Sequence, residues 1–380
     1  MSSRVYQICS RCVMDTTDPE IIFDDKGICN HCHQFDERFV NIPKMGFRDS
    51  PVFWNTINTI KKNSAGKEFN CILGLSGGTD SSFMAYLCKE AGLKPLVVHF
   101  DNGWNTEYAI RNIENLVTKL EFELYTYVIN WEEFKELQLS YFKASVIDLE
   151  VPTDHLIFGA LFNIARKYKI KNILSGYNLT SEGIMPKAWL YEHKFDRANM
   201  KDIHQQFGTG KMSQLPTLGL WDRFFYQKIH RFKQHHLLQT FLYNKMEAKK
   251  ILISQLDWKD YGGKHYESVF TRFYQGYFLP VKFGIDKRKA HLSTLIAAGQ
   301  LSRDAAMEEL KQPTYDPRLQ EEDKEYVCKK WGIGLQEFEE VMKRPIRQHK
   351  EFAEELELER KIQRIINYIK PLVPSRLKNA

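Results

Sequence analysis

The chain has 380 residues, with 43% hydrophobic and 27% charged residues and a formal net charge of +6 from 54 basic and 48 acidic side chains. These proportions describe a globular protein of more than one average domain; they exclude a disordered chain, and no run approaches the ~18 apolar residues of a membrane span. The positive excess is too thinly spread for a nucleic-acid-binding face, so nucleic acid is not an expected partner, and the absence of an apolar stretch after Met1 points to a cytoplasmic location.

Four of the seven cysteines fall in the first 32 residues, as Cys9-Ser10-Arg11-Cys12 and Cys29-Asn30-His31-Cys32. Two C-x2-C turns at this separation supply four thiolates to a tetrahedral metal. In a reducing compartment disulfides are not expected, and zinc precedes an iron-sulfur cluster as the expected metal. Four protein ligands leave no open coordination position, so the metal is structural and residues 1–45 form a metal-binding knuckle. His31 and His33 read as exposed knuckle histidines, and Cys71, Cys88 and Cys328 as small core residues.

A linker punctuated by Pro43, Gly46 and Pro51 leads into a segment, 50–200, where strands at 70 to 75, 95 to 100, 124 to 129 and 172 to 175 alternate with helical stretches at 80 to 91, 105 to 120, 131 to 145 and 154 to 169. Alternation of this kind gives a parallel sheet covered on both faces, with ligands beyond the carboxyl ends of the strands.

The first strand ends in Ser76-Gly77-Gly78-Thr79-Asp80-Ser81-Ser82. The glycines admit a polyanion close to the backbone, and the hydroxyls of Ser76, Thr79, Ser81 and Ser82 add donors beside the positive end of the following helix. No lysine follows, which separates this loop from the Walker motif. The second strand ends in Asp101-Asn102-Gly103, a carboxylate and an amide able to hold ribose or adenine. The fourth ends in Gly176-Tyr177-Asn178, where Gly176 allows close approach and Asn178 and Glu182 can reach the same cleft.

From residue 201 to 380 the chain becomes helical, aromatic and basic. Residues 222 to 256 carry a helical packing pattern. Lys264, Arg272, Lys282, Lys287 and Arg288 then fall within twenty-five residues, a block able to close over pyrophosphate. Ser293 to Leu310 reads as two helices around Gly299, and Phe352 to Ile369 as an amphipathic helix.

The Ser-Gly-Gly-x-Asp-Ser loop resembles that of the N-type ATP pyrophosphatases. Together with the knuckles running into Met14-Asp15-Thr16-Thr17-Asp18-Pro19 and the Tyr261-to-His265 and Lys282-to-Gly284 blocks, the chain resembles the N-acetyl sugar amidotransferase family, WbpG/PseA-like, from about residue 6 to 320. The resemblance implies an α/β fold: a parallel-sheet PP-loop ATP pyrophosphatase domain of the adenine nucleotide alpha hydrolase type, an N-terminal four-cysteine zinc knuckle and a mainly helical C-terminal domain for substrate or partner. It also implies an ATP-dependent reaction in which the acetamido oxygen of a UDP-N-acetyl sugar-type substrate is adenylated and replaced by ammonia, in surface polysaccharide (lipopolysaccharide O-antigen) biosynthesis.

On this reading ATP lies against Ser76 to Ser82, Asp101, Asn102, Gly176 and Asn178, with Mg2+ bridging phosphates. Asp80 orients the loop or holds that metal, Lys282 and Arg288 neutralise charge, and His265 and Glu267 move protons. The chain shows no glutaminase nucleophile, so the resemblance implies a HisH-like glutaminase and a HisF-like ammonia-conducting partner. Two other readings share some of these features: a tRNA-thiolating enzyme, which needs a sulfur-carrying cysteine or cluster near the loop, and a non-enzymatic zinc-knuckle binding module.

Overall fold

The computed structural model describes residues 5–226, 230–263 and 266–355. Short antiparallel bridges, Ile8 to Asp15 and Phe23 to Cys29, fold the knuckle ahead of α1 (Asn30–Phe39). After α2 (Pro51–Asn63), which Ser50 caps, strands and helices alternate: β1 (Cys71–Gly74), α3 (Thr79–Glu90), β2 (Pro95–Asp101), α4 (Glu107–Leu120), β3 (Glu123–Val128), α5 (Trp131–Lys143), α6 (Val151–Lys167) and β4 (Asn172–Leu174). These are the expected elements, with boundaries displaced by a few residues at most.

All strand pairs are parallel, in the order β3-β2-β1-β4-β5. Side chains alternate between two buried faces. Cys71, Leu73 and Val97 pack with the apolar side of α3, while Ile72, Leu96 and Val98 pack with Leu161, Ile164 and Ala165 of α6. The chain order reverses direction about β1, whose neighbours are β2 and β4. The crevice that such a reversal opens therefore lies beyond β1 and β4.

The fifth strand, β5 (Lys233–His235), falls within 222–256, the stretch whose spacing reads as helical packing. The sheet thus continues beyond residue 200, completed by three polar residues that carry no strand pattern of their own. Between β4 and β5 lie α7 (Leu179–Glu182), α8 (Arg197–Phe207) and α9 (Leu220–Phe224).

The remaining helices are α10 (Lys245–Leu256), α11 (Val269–Phe273), α12 (Lys287–Ala297), α13 (Arg303–Lys311), α14 (Pro317–Trp331) and α15 (Leu335–Met342). Gly299, at φ +72°, makes the turn between α12 and α13, as expected. From α11 the backbone runs on as a π-helical segment, Tyr274–Phe283, ending at left-handed Gly284. Residues 352–355, the start of the expected terminal helix, are irregular backbone after a short 3-10 turn, His349–Glu351; the rest of that helix lies outside the described residues. Among the described residues, no helix is long and apolar enough to cross a membrane.

Candidate active site and metal centre

The knuckle brings Cys9, Cys12, Cys29 and Cys32 together, all buried, with sulfur atoms within 4.8 Å of one another. Nearest pairs are Cys12–Cys29 at 3.7 Å, Cys29–Cys32 at 3.8 Å and Cys9–Cys32 at 4.0 Å. Ligand bonds of about 2.3 Å in a tetrahedron place sulfurs about 3.8 Å apart, so the four thiolates fit a single ion. The amides of Arg11, Cys12 and Cys29 point at Cys9 Sγ (3.3–3.4 Å), donors that stabilise a thiolate bound to a cation.

The run after the first knuckle has a packing role. Asp15 accepts from the Tyr6 hydroxyl at 2.7 Å and pairs with Lys289 of α12, and Asp18 holds His31 at 2.6 Å. His31 is therefore buried, correcting the expectation of an exposed ring; His33 is exposed and meets Asp24 at 2.9 Å. Arg303 of α13 donates to the carbonyls of Cys9 and Cys12, and Ser293 of α12 accepts from the Val13 amide. The knuckle is thereby clamped to the C-terminal helices.

Beyond β1, Gly77 sits at φ +81°, and a Cβ there would lie 2.7 Å from the Ala109 carbonyl oxygen. Its own carbonyl accepts from the Trp258 indole at 2.9 Å. The turn is thus pinned between α4 and the C-terminal region, and Gly78 delivers the chain into α3. Ser76 and Ser81 bond each other at 3.0 Å, and Asp80 accepts the Tyr243 hydroxyl at 2.6 Å. Burial and this carboxylate push the Tyr243 phenol well up, so it remains a donor that fixes Asp80.

Two cavities flank the loop. The larger, about 720 Å³, is lined by Ser76, Gly78, Thr79, Asp80, Ser81 and Gly176 together with Glu267, Arg272, Lys287 and Arg288. The smaller, about 430 Å³, opens at the ends of β1 and β2, between His99, Asn102 and the Ile157, Ala160 and Leu161 side of α6. Ser76, Glu267, Gln275 and Lys287 line both.

Ser76, Gly78, Thr79, Asp80, Ser81, Gly176, Glu267 and Arg288 meet around the larger cavity, as does Glu182, and Asn102 lines the smaller. Tyr261 hydrogen-bonds Glu267, and burial with that neighbouring charge raises the phenol above its usual range. Arg288 reaches the wall with its guanidinium already on Asp286 (2.7 Å) and on the carbonyls of Gln312 and Pro313 (3.0 Å each).

Four expected positions turn elsewhere. Lys282 donates to the carbonyls of Val341, Met342 and Arg344 at 2.9–3.0 Å, capping the end of α15, and does not line either cavity. Asn178 is fully buried and caps α7 through the Ser181 amide (2.8 Å). Asp101 accepts from the Gly103 amide in its own turn at 2.9 Å. Ser82 points into the α3 core, its hydroxyl buried away from the cavities. His265 lies outside the described residues. Tyr177 bonds Arg38 at 2.7 Å and packs on His236, so it too leaves the cleft.

Sequence reasoning missed a half-buried charge cluster on the polar side of the smaller cavity. Lys194 bridges Asp148 (2.9 Å) and Asp154 (2.6 Å), and Glu150 accepts from the Thr271 hydroxyl at 2.8 Å. Burial, then the neighbouring acids Asp154 and Asp148, push the Glu150 carboxyl up to about 8. His99, between the Leu75 carbonyl (3.2 Å) and Asn105 (3.3 Å), is held below its usual range by burial. Neither position belongs to a motif; only their place at a strand end or helix start gives a signal.

The raised carboxyl carries a pH signature. Unfolded, Glu150 ionises near its ordinary value, whereas folded it keeps its proton to about pH 8, so between these limits the folded state binds more protons and stability falls as pH rises. Relative to Glu150→Gln, the wild-type melting temperature should therefore drop from about pH 5 to about pH 8 and level off above it. A difference independent of pH would contradict a neutral Glu150.

Residues 54–144 match the NAD synthase family model, and residues 267–365 match the model described as LPS biosynthesis protein WbpG-like, C-terminal domain. The chain thus joins a segment similar to the NAD synthases, a PP-loop type of domain, to a WbpG-like C-terminal segment. The Ser76-to-Ser81 turn lies inside the segment that matches the NAD synthase model.

An uncharacterized protein of Methanocaldococcus jannaschii is 25% identical over 326 residues, 83% of this chain and 96% of that protein. The tRNA(Ile)-lysidine synthase of Chlamydia pneumoniae is 31% identical over 119 residues, 29% of this chain and 37% of the synthase. Among solved structures, NMN synthetase from Francisella tularensis has a TM-score of 0.29 at 17% identity, over 53% of this chain and 85% of that one. The U34-tRNA thiolase of Methanococcus maripaludis with its [4Fe-4S] cluster has a TM-score of 0.31 at 13% identity, over 81% and 90%. Superpositions this loose carry no weight for the reaction.

Proposed function

We propose that this protein is an ATP-dependent amidotransferase that adenylates the acetamido oxygen of a nucleotide-linked N-acetyl sugar and replaces it with ammonia. The observation that carries this reading is a juxtaposition. The WbpG-like segment supplies Glu267, Arg272, Lys287 and Arg288 to the lining of the same cavity that the PP-loop lines. Lipopolysaccharide O-antigen assembly is the setting that the WbpG-like domain supports.

An acetamide carbon is a poor electrophile. Its oxygen attacks the α phosphorus of ATP, the bond to pyrophosphate breaks, and an O-adenylyl imidate forms. Ammonia then adds to the imidate carbon, the C–O bond breaks, AMP leaves and a proton is lost. The chain's work is positioning and charge neutralisation. The PP-loop and the start of α3 receive pyrophosphate, and Mg2+, with Asp80 and Glu182 at hand in the cavity, would supply further neutralisation. Glu267, oriented by Tyr261, is the group placed to accept a proton from the incoming nitrogen.

Ammonia is preferred to sulfur as the second nucleophile because every cysteine is buried elsewhere: four in the knuckle, Cys71 in β1, Cys88 in α3 and Cys328 in α14. We attribute the ammonia to a HisH-like glutaminase acting through a HisF-like protein. The knuckle's sulfur spacing supports zinc as its resident ion.

The test supplies ATP, Mg2+ and ammonium with candidate UDP-N-acetyl sugars and follows products by mass spectrometry. The expected result is AMP, pyrophosphate and a sugar nucleotide in which O has become NH, with glutamine ineffective unless the partners are added. AMP formed only in the presence of tRNA would replace this reading by thiolation.

A further inference from the structure

Lys287 is the first residue of α12, and it is 9% exposed. Its ammonium has no hydrogen bond or ion pair among the described residues, only the face of Tyr274 at 5.2 Å. Burial, opposed by Asp148, Asp154 and Glu150 acting through space, lowers its pKa; Lys194 adds repulsion. Asp148 and Asp154 are already bonded by Lys194, and Glu150 is held neutral by its surroundings. The side chain is thus largely enclosed while it lines both cavities, and a cation in such a setting without a contacting partner is stabilised by an anion that enters the cavity.

Three other basic groups of the same stretch are committed. Lys282 caps α15, Arg288 is spent on Asp286 and three carbonyls, and Arg272 holds Asp323 through two bonds of 2.6 and 2.7 Å. Of the described residues that line both cavities, namely Ser76, Glu267, Gln275 and Lys287, only Lys287 is a cation.

The structure assigns Lys287 to the α-phosphate of ATP, at the junction where the smaller cavity, taking the nucleoside, meets the larger one, taking pyrophosphate. The assignment rests on the ATP-using reading above and adds the residue that meets the reacting phosphorus. The α-phosphate links the two halves of the ligand, so it must pass this junction. The buried ammonium then pairs with the oxygens that stay on AMP when pyrophosphate leaves, and neutralises the charge that builds there during attack. Residues expected for this role, Lys282 and Arg288, flank the one that the fold delivers.

The test measures binding of ATP, AMP, adenosine and pyrophosphate to the full chain by titration calorimetry, for wild type, Lys287→Met and Lys287→Arg. Met keeps the stem volume and removes the charge. Lys287→Met should weaken AMP and ATP by about tenfold or more, the scale of one lost charge-assisted contact, and leave adenosine and pyrophosphate within about twofold. Lys287→Arg should retain most of the AMP affinity. Unchanged AMP binding in Lys287→Met would overturn the assignment, as would a parallel loss of adenosine, which marks a structural role. Wild type that binds neither ATP nor AMP would overturn the ATP reading itself, and this assignment with it.

Discussion

Gly77→Ala costs the protein its grip on ATP. The residue sits at φ +81°, a conformation that costs an L side chain about 1–2 kcal/mol. Its added Cβ would also lie 2.7 Å from the Ala109 carbonyl oxygen, 3.1 Å from the Ala109 Cα and 3.2 Å from its carbonyl carbon. These are backbone atoms of α4, which cannot swing aside as a flexible side chain would. Relief requires the turn to move, and the turn is held on its far side by the Trp258 indole on the Gly77 carbonyl.

Displacing the turn misaligns Gly78, the start of α3, and the Ser76 and Ser81 hydroxyls together. ATP-dependent pyrophosphate release should fall by roughly a hundredfold or more, the scale at which losing a preorganised charge-stabilising donor affects turnover. Since α3 and β1 remain buried on both sides, far-ultraviolet circular dichroism should be nearly unchanged. Gly66→Ala is the control: it shares a positive φ of +73°, but nothing lies within 4 Å of its added Cβ and it lines neither cavity. Equal activity in Gly77→Ala and wild type would remove the loop from the reaction.

Cys29→Ser should cost the protein its metal and much of its folded yield. Structural tetrathiolate sites contribute folding free energy directly, apparent values for zinc in small domains being about 10–16 kcal/mol at neutral pH. The loss would reach beyond the knuckle, because Arg303 binds the carbonyls of Cys9 and Cys12 and Lys289 meets Asp15. Without a set knuckle, α12 and α13 lose the surface they pack on, and α12 begins with Lys287 at the cavity junction.

Elemental analysis of wild type should find about one zinc per chain, and Cys29→Ser should retain a small fraction of it. The variant's melting temperature should fall well below that of wild type, with ATP binding impaired in the fraction that stays soluble. A variant that melts like wild type would show the knuckle to be dispensable. Iron with inorganic sulfide in wild type would reassign the centre to a cluster.

Local pattern made most of the framework readable. Four strands and the helices between them follow from runs interrupted by turns: the inner strands β1, β2 and β4 are largely apolar because both their faces are covered, while the exposed edge strand β3 reads from its tyrosines and β-branched residues. The Ser-Gly-Gly turn and the four cysteines were readable for a different reason: phosphate cradling and tetrahedral thiolate binding need particular residue types at short spacings, and the sequence writes both down directly. The turn between α12 and α13 was marked by Gly299.

Choosing among the basic residues was beyond the sequence. Lys282 and Lys287 are neighbours in one block, and an α-helical reading gives both the same prospects. The backbone from Tyr274 to Phe283 is π-helical and breaks at Gly284, which changes the direction in which successive side chains leave. Lys282 emerges against the end of α15; Lys287 emerges between the cavities. Asp101 and Asn102 show the same limit at adjacent positions: both side chains accept amides of the turn, from Gly103 and Trp104, and only Asn102 also lines the smaller cavity.

By itself, then, the sequence determined the parallel α/β framework, the anion-binding turn and the metal knuckle, each encoded by contiguous residues. The tertiary structure alone decided which charges are satisfied by the protein and which are left for a ligand. Asp148, Glu150, Lys194 and Lys287 come from three separate stretches of the chain and meet only when α6 and α12 pack beside the sheet ends. A charge is spent or available according to what stands within about 3 Å of it, and contacts between distant segments are what tertiary packing creates.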